Sequence, residues 1–231
     1  MDTVLFYIIA GATYLFSMAV KTKLKSTYKK WGQVRSATGK PGGQVAAIIL
    51  ANNGLHSIDV QPVQGQLTDY YDPRKKYIGL SEQNFFGNSV AATAVAAHEC
   101  GHALQDADGY SPLKLRTAAL PLASAGARFG LPLAIAGWVL GSAMLVQLGL
   151  LGYAASILLT FLVLPVEFNA SKRALRQLES LNLVSPDGYA AAKEVLRAAA
   201  MTYVAGVASS AGYLIFFAIS GVRAMLGQPK I

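Results

Sequence analysis

The chain has 231 residues, 53% of them hydrophobic and only 14% charged, where an average soluble domain carries about 25% charged residues. That deficit excludes an ordinary soluble globule and a disordered chain. The net charge of +8 comes with a single cysteine, Cys100, which excludes an intrachain disulfide framework and a four-cysteine zinc site, so any metal must be held by His, Asp or Glu.

From the amino terminus, Thr3 to Val20 is a run of 18 residues without a charge. As a helix it would be about 27 Å long, enough to cross the hydrocarbon core. A cleaved signal peptide is the competing reading, since Ser17 and Ala19 form a small-x-small pair. The run lacks a basic n-region, so an anchor over 1–20 is expected. Lys21, Lys23, Lys25, Lys29 and Lys30 follow at once. Such a basic collar marks a cytoplasmic flank meeting anionic lipid, and it explains the positive charge without nucleic acid.

Residues 21–128 read as a cytoplasmic domain. Val45 to Leu50 looks helical and stops at Asn52-Asn53-Gly54. Between Ser57 and Ser81, Ile58, Val60, Val63, Leu67, Tyr77, Ile78 and Leu80 are interleaved with turn formers, which predicts short strands with a hairpin. From Asn88 or Ser89, either a plausible cap, an Ala-rich helix is expected to about Gln105. Further on, Phe129 to Val166 is 38 residues without one charged side chain, enough for a hairpin of two spans. Its turn is expected near Gln147 and Gly149, and Gly137 to Gly141 is a GxxxG match that favours close helix approach. Lys172, Arg173 and Arg176 place 167–197 on the cytoplasmic side. Residues 198–231 hold a fourth span, Ala198 to Val222, and a short tail.

Within the Ala-rich helix stands His98-Glu99-Cys100-Gly101-His102, an H-E-x-x-H pattern. His98 and His102 lie one above the other on one face, where both imidazoles can reach one zinc ion. Glu99 is turned about 100° away and can reach a metal-bound water without occupying a coordination site. That is the arrangement for metal-assisted hydrolysis with Glu99 as general base. Gly101 costs the helix about 1 kcal/mol relative to Ala, which suits a site where another backbone or the metal packs close. Cys100 reads as core filler.

A catalytic zinc takes three protein ligands. Asp108 lies six residues after His102, the spacing of the last ligand in H-E-x-x-H-x-x-G-x-x-H/D sites, but Gln105 stands where the turn glycine belongs. Glu167, at the cytoplasmic mouth of the third span, is the other candidate. It is favoured because a second helix presenting Glu completes the two-His-one-Glu set of hydrolytic sites. Lys76 to Ser81 is strand-like, and as an edge strand it would hold an extended peptide beside Ile78, Gly79 and Leu80 by strand addition. Tyr203 could lend its hydroxyl to a developing oxyanion, with helix packing as its plainer role.

These residues resemble the YugP-type neutral zinc metallopeptidases of bacteria, distantly similar to HtpX-type and CaaX-prenyl proteases. The resemblance runs over nearly the whole chain. It rests on Leu67-Thr68-Asp69-Tyr70-Tyr71-Asp72-Pro73, Ile78 to Ser81, Ala96 to Gln105, Gly109 to Arg116, Pro165 to Ala174 and Ala199 to Ala205. It implies zinc ligation by His98, His102 and Glu167, with Glu99 as general base. Tyr70 replaces the usual His of an Asp-His-Tyr-Asp-Pro segment, and Asn169 stands for a common Asp. The expectation is therefore a mainly α, membrane-integrated protein. It comprises a gluzincin-like α+β zinc peptidase domain with four transmembrane helices, in the bacterial inner (cytoplasmic) membrane, and its active site faces the cytoplasm. One Zn2+ per chain is expected, with a peptide or membrane-protein segment as substrate. The alternative is a catalytically silent membrane zinc protein acting through partners as scaffold or regulator.

Overall fold

The structure is a computed structural model that describes residues 2–225, with the side chains of 2, 3, 138, 214 and 216–225 left out. Its chain order is α1 (Asp2–Gly32), α2 (Gly42–Asn52), β1 (Asp59–Val63), β2 (Tyr70–Asp72), β3 (Tyr77–Ser81), α3 (Glu82–Phe86), α4 (Val90–Ala107), α5 (Ser111–Val139), α6 (Ala143–Thr160), α7 (Val163–Ser180) and α8 (Pro186–Met225). Two compact units result. One comprises the described parts of Met1–Lys21, Leu115–Leu164 and Thr202–Ile231, and the other comprises Thr22–Lys114 and Pro165–Met201.

In the second unit, α4 is the central element, because its small residues let neighbours approach on all sides. Ala91, Ala94, Ala96, Ala97, Cys100 and Ala103 on α4 are buried in one core with Val45, Ala46 and Ile49 of α2, Ile78 and Leu80 of β3, Ala174 and Leu178 of α7, and Val195 of α8. Ser89 caps α4 by accepting the backbone N–H of Ala92, as the sequence suggested. The three-stranded sheet has the order β1-β3-β2, with β1 parallel and β2 antiparallel to β3. The β2–β3 hairpin is closed by Asp72, whose carboxylate accepts the backbone N–H groups of Arg74 and Lys75.

Strand β3 is therefore central, and the expectation of a substrate strand added beside Ile78, Gly79 and Leu80 is corrected. Strand β1 pairs with β3 from Tyr77 to Ser81 and β2 pairs with it from Tyr77 to Gly79, and Ile78 and Leu80 point into the core at 0% exposure. The open edges belong to β1 and β2.

In the first unit α5 and α6 form a helical hairpin. Its turn is at Leu140–Ser142, not at Gln147 and Gly149, which lie inside α6. The physical reason is that Gly141 adopts φ +67°, the left-handed conformation that ends a helix, and Ser142 caps α6 by accepting the N–H of Leu145. Helix α5 also begins at Ser111, well before Phe129, and tolerates Pro121 and Pro132 in its interior. The glycines of this hairpin serve approach: a Cβ on Gly126 would lie 2.2 Å from the Gly152 carbonyl oxygen, and one on Gly149 2.5 Å from that of Gly130. Small residues at a helix seam allow this backbone contact where no hydrophobic effect drives helices together. Three helical stretches among the described residues are long and apolar enough to cross a membrane: Val4–Gly32, Ser111–Gly137 and Ala143–Ser180. The fourth expected run, Ala198 to Val222, lies along α8, and part of it falls outside the residues whose side chains are described.

Candidate metal centre

Helix α4 presents His98 and His102 one turn apart, and their rings meet edge-on with centroids 4.8 Å apart. Helix α7 brings Glu167 to them. It is amphipathic, burying Val166, Glu167, Ala170, Ala174 and Leu178 along one face. Its close approach depends on Gly101, because a Cβ there would stand 2.3 Å from the Ala170 carbonyl oxygen. The backbone approach inferred from the cost of that glycine is thus present, and Ala170 supplies it. Glu167 Oε2 lies 3.3 Å from His98 Nε2 and 3.7 Å from His102 Nε2.

One ligand atom from each of these three residues falls within 4.8 Å of the others, the one such group found among the described residues. The Glu167 side chain is 2% exposed. Burying a carboxylate is costly unless opposite charge compensates it, and a divalent cation among the three donors would do so. Two imidazoles and a carboxylate are the donor chemistry of hydrolytic zinc sites, and the residues fit the ion.

Asp108, the alternative third ligand, is outside this group. It is the C-terminal cap of α4, and its carboxylate pairs with the Arg173 guanidinium. Glu99 is buried in α4 next to His98. Cys100 is fully buried, and burial first, then the nearby Glu99 charge, pushes its thiol far above the ordinary range. This agrees with core filler. Tyr203 lies on α8 in the other unit and is 38% exposed.

Support around the histidines comes from Asn169, the position where a common Asp is replaced, and from Gln105 and Ser171, which the sequence offered no reason to expect there. His102 Nδ1 is 3.0 Å from Gln105 Oε1, and the Gln105 amide nitrogen donates to the Val166 carbonyl (2.8 Å) and to Asn169 Oδ1 (3.0 Å). Arg173 Nε also donates to Asn169 Oδ1, at 2.8 Å. His98 Nδ1 is 3.2 Å from Ser171 Oγ. The available signal was positional, since Gln105 follows His102 by three residues on the same helical face.

The two departures noted in the sequence fall in different places. Asn169 supplies the acceptor that joins Gln105 to Arg173, a role its amide oxygen fulfils without a charge. Tyr70 bonds through its hydroxyl to Tyr77, and its ring covers Gly79 across the β2–β3 pair. The rest of that segment is structural. Asp69 accepts from the Ser81 backbone and hydroxyl and from Asn84, while Tyr71 donates to Asp106 on α4 at 2.6 Å. Burial first, and then the bond to Asp106 and its charge, push the Tyr71 hydroxyl well above its ordinary value.

The neutral zinc metallopeptidases are the family to which the chain belongs: the family model described as "putative neutral zinc metallopeptidase" matches residues 6–220. Among its relatives, the "putative membrane protease YugP" of Bacillus subtilis (strain 168) is 37% identical over 213 residues, covering 92% of this chain and 95% of that protein. No solved structure matches the chain.

Proposed function

We propose that this protein is a membrane-bound zinc metalloendopeptidase in which His98, His102 and Glu167 hold one Zn2+ and Glu99 is the general base. The carrying observation is the convergence of two imidazoles on α4 with a buried carboxylate on α7. When bound, zinc polarises the scissile carbonyl and lowers the pKa of its water to about 7. Glu99 accepts the proton of the attacking water and returns it to the departing amine, so one carboxylate acts first as base and then as acid. The gluzincin-like description follows from this two-helix ligand set.

The rest of the proposal concerns setting. Four spans put the amino terminus outside, the unit carrying α4 inside, the α5–α6 turn outside and the carboxyl terminus outside, in the bacterial cytoplasmic membrane. The lysines after Val20 and the basic residues of α7 support this orientation, while the turn at Leu140–Ser142 carries no charge. The substrate is an extended peptide, drawn from a membrane protein's cytoplasmic segment.

Glu99→Gln tests the chemistry in the full chain in detergent, with a fluorescently labelled unfolded protein as substrate. Near-stoichiometric zinc should be retained while hydrolysis falls by at least about 100-fold. Loss of zinc from the variant would make Glu99 a ligand or support. A wild-type protein that binds zinc and cleaves nothing would favour the scaffold reading.

A further inference from the structure

We infer that Gln105 is a positioning residue that dictates the tautomer of His102 and, through the same side chain, ties that histidine to the backbone beside Glu167. The inference rests on the zinc-peptidase reading and deepens it.

The chain of bonds is anchored at both ends on groups with only one hydrogen-bonding role. The Val166 carbonyl can only accept, so the Gln105 amide end that meets it at 2.8 Å is the NH2 group. Arg173 can only donate, so the Asn169 atom it meets at 2.8 Å is the amide oxygen, and that oxygen receives the same Gln105 NH2 at 3.0 Å. Gln105 Oε1 is thereby left facing His102 Nδ1 at 3.0 Å. A carbonyl oxygen accepts, so Nδ1 carries the proton. In a neutral imidazole the lone pair is then on Nε2, the atom that faces Glu167.

Gln105 is 0% exposed, so water does not compete for these bonds. His98 is supported differently. Its Nδ1 meets the Ser171 hydroxyl, which can donate or accept, and no tautomer is imposed from that side. The two histidines therefore differ in how firmly they are set. Groups that hydrogen-bond the far nitrogen of a ligating histidine typically contribute about 10- to 100-fold in metal affinity, and Gln105 also donates to the residue preceding Glu167, so it acts on two of the three candidate ligands.

The test uses the full chain in detergent, with zinc alone as the probe, by chelator competition and by long-range 1H–15N spectra of 15N-histidine-labelled protein. In the wild type, zinc should shift His102 Nε2 while Nδ1 stays protonated. Zinc at His102 Nδ1 overturns the inference without any variant. Gln105→Met should weaken zinc binding by about 10- to 100-fold and remove the His102 Nδ1–H signal while leaving the His98 ring resonances unchanged. Gln105→Glu retains an acceptor oxygen toward Nδ1 but loses the amide donor to Val166 and Asn169, and should keep the His102 Nδ1–H signal and lose less zinc affinity than Gln105→Met. Equal losses in both variants would make Gln105 a brace between helices and overturn its positioning role. Zinc binding that requires His98 but is indifferent to Gln105→Met would sink the inference alone. Binding indifferent to His98→Ala would sink the peptidase reading as well.

Discussion

The α4–α7 pair and the α5–α6 hairpin use the same backbone device for different ends. In both, a missing side chain lets one helix touch the other's carbonyl: Gly101 against Ala170 in the first, Gly126 against Gly152 and Gly149 against Gly130 in the second. The hairpin seam carries no charged side chain between Phe129 and Val166. The α4–α7 seam is threaded by His102, Gln105, Asn169 and Arg173. Close approach alone gives packing. Close approach with directional bonds fixes a register, and a metal site built from two helices requires one.

The comparison is broken most severely at the candidate ligand that joins the two helices. Glu167→Ala should abolish measurable zinc binding and lower the thermal midpoint, since binding energy is folding energy when ligands come from separate elements. Asp108→Ala should leave zinc affinity nearly intact, because that carboxylate pairs with Arg173 and lies outside the candidate ligand group. Chelator titration and thermal melts of both proteins decide the assignment. Zinc lost from the Asp108 variant and kept by the Glu167 variant would reverse it.

Next come the glycines. Gly101→Val should destabilise by about 1–3 kcal/mol, the usual cost of overpacking, and release zinc with it. Gly149→Val should cost a similar amount and leave zinc affinity as it was. A hairpin variant that sheds zinc as readily as Gly101→Val would erase the distinction between the two seams.

The smallest effect belongs to Tyr71, which ties the sheet to α4 outside the metal cluster. Its folded pKa lies above the unfolded value of 10.0, so the folded state keeps a proton that the unfolded chain releases. Stability from this group is complete below that pH and declines as pH rises above it. Tyr71→Phe should cost about 1 kcal/mol for the lost bond, flatten the fall in thermal midpoint above pH 10 and leave zinc affinity unchanged.

Much of this was legible in the sequence where local rules suffice. Ser89 and the small residues after it specify α4, and Asn52-Asn53-Gly54 ends α2, because capping and turn chemistry act within a few residues. The hairpin turn was misplaced because glycine has two uses: Gly149 serves approach and Gly141 serves the turn. Only the cap at Ser142 separates them. Strand β3 was read as an edge because its parallel pairing with β1 is non-local. The continuous apolar run Tyr77-Ile78-Gly79-Leu80 was the available sign of a strand covered on both sides. Glu167 was found through ligand chemistry, whereas Gln105 was weighed only as the residue in place of the turn glycine that the Asp108 alternative needs.

The distance along the chain between the candidate ligands bears on how such an enzyme is made. Glu167 follows His102 by 65 residues, with the whole α5–α6 hairpin in between. A ribosome-bound chain that has exposed the complete H-E-x-x-H helix still lacks the carboxylate, and the α5–α6 hairpin must be made before α7 can deliver it. On this ligand set, a truncated or stalled product holds two of three ligands, binds metal weakly and cuts nothing. On the proposed ligand set, a complete site therefore exists only once the chain has been made through α7.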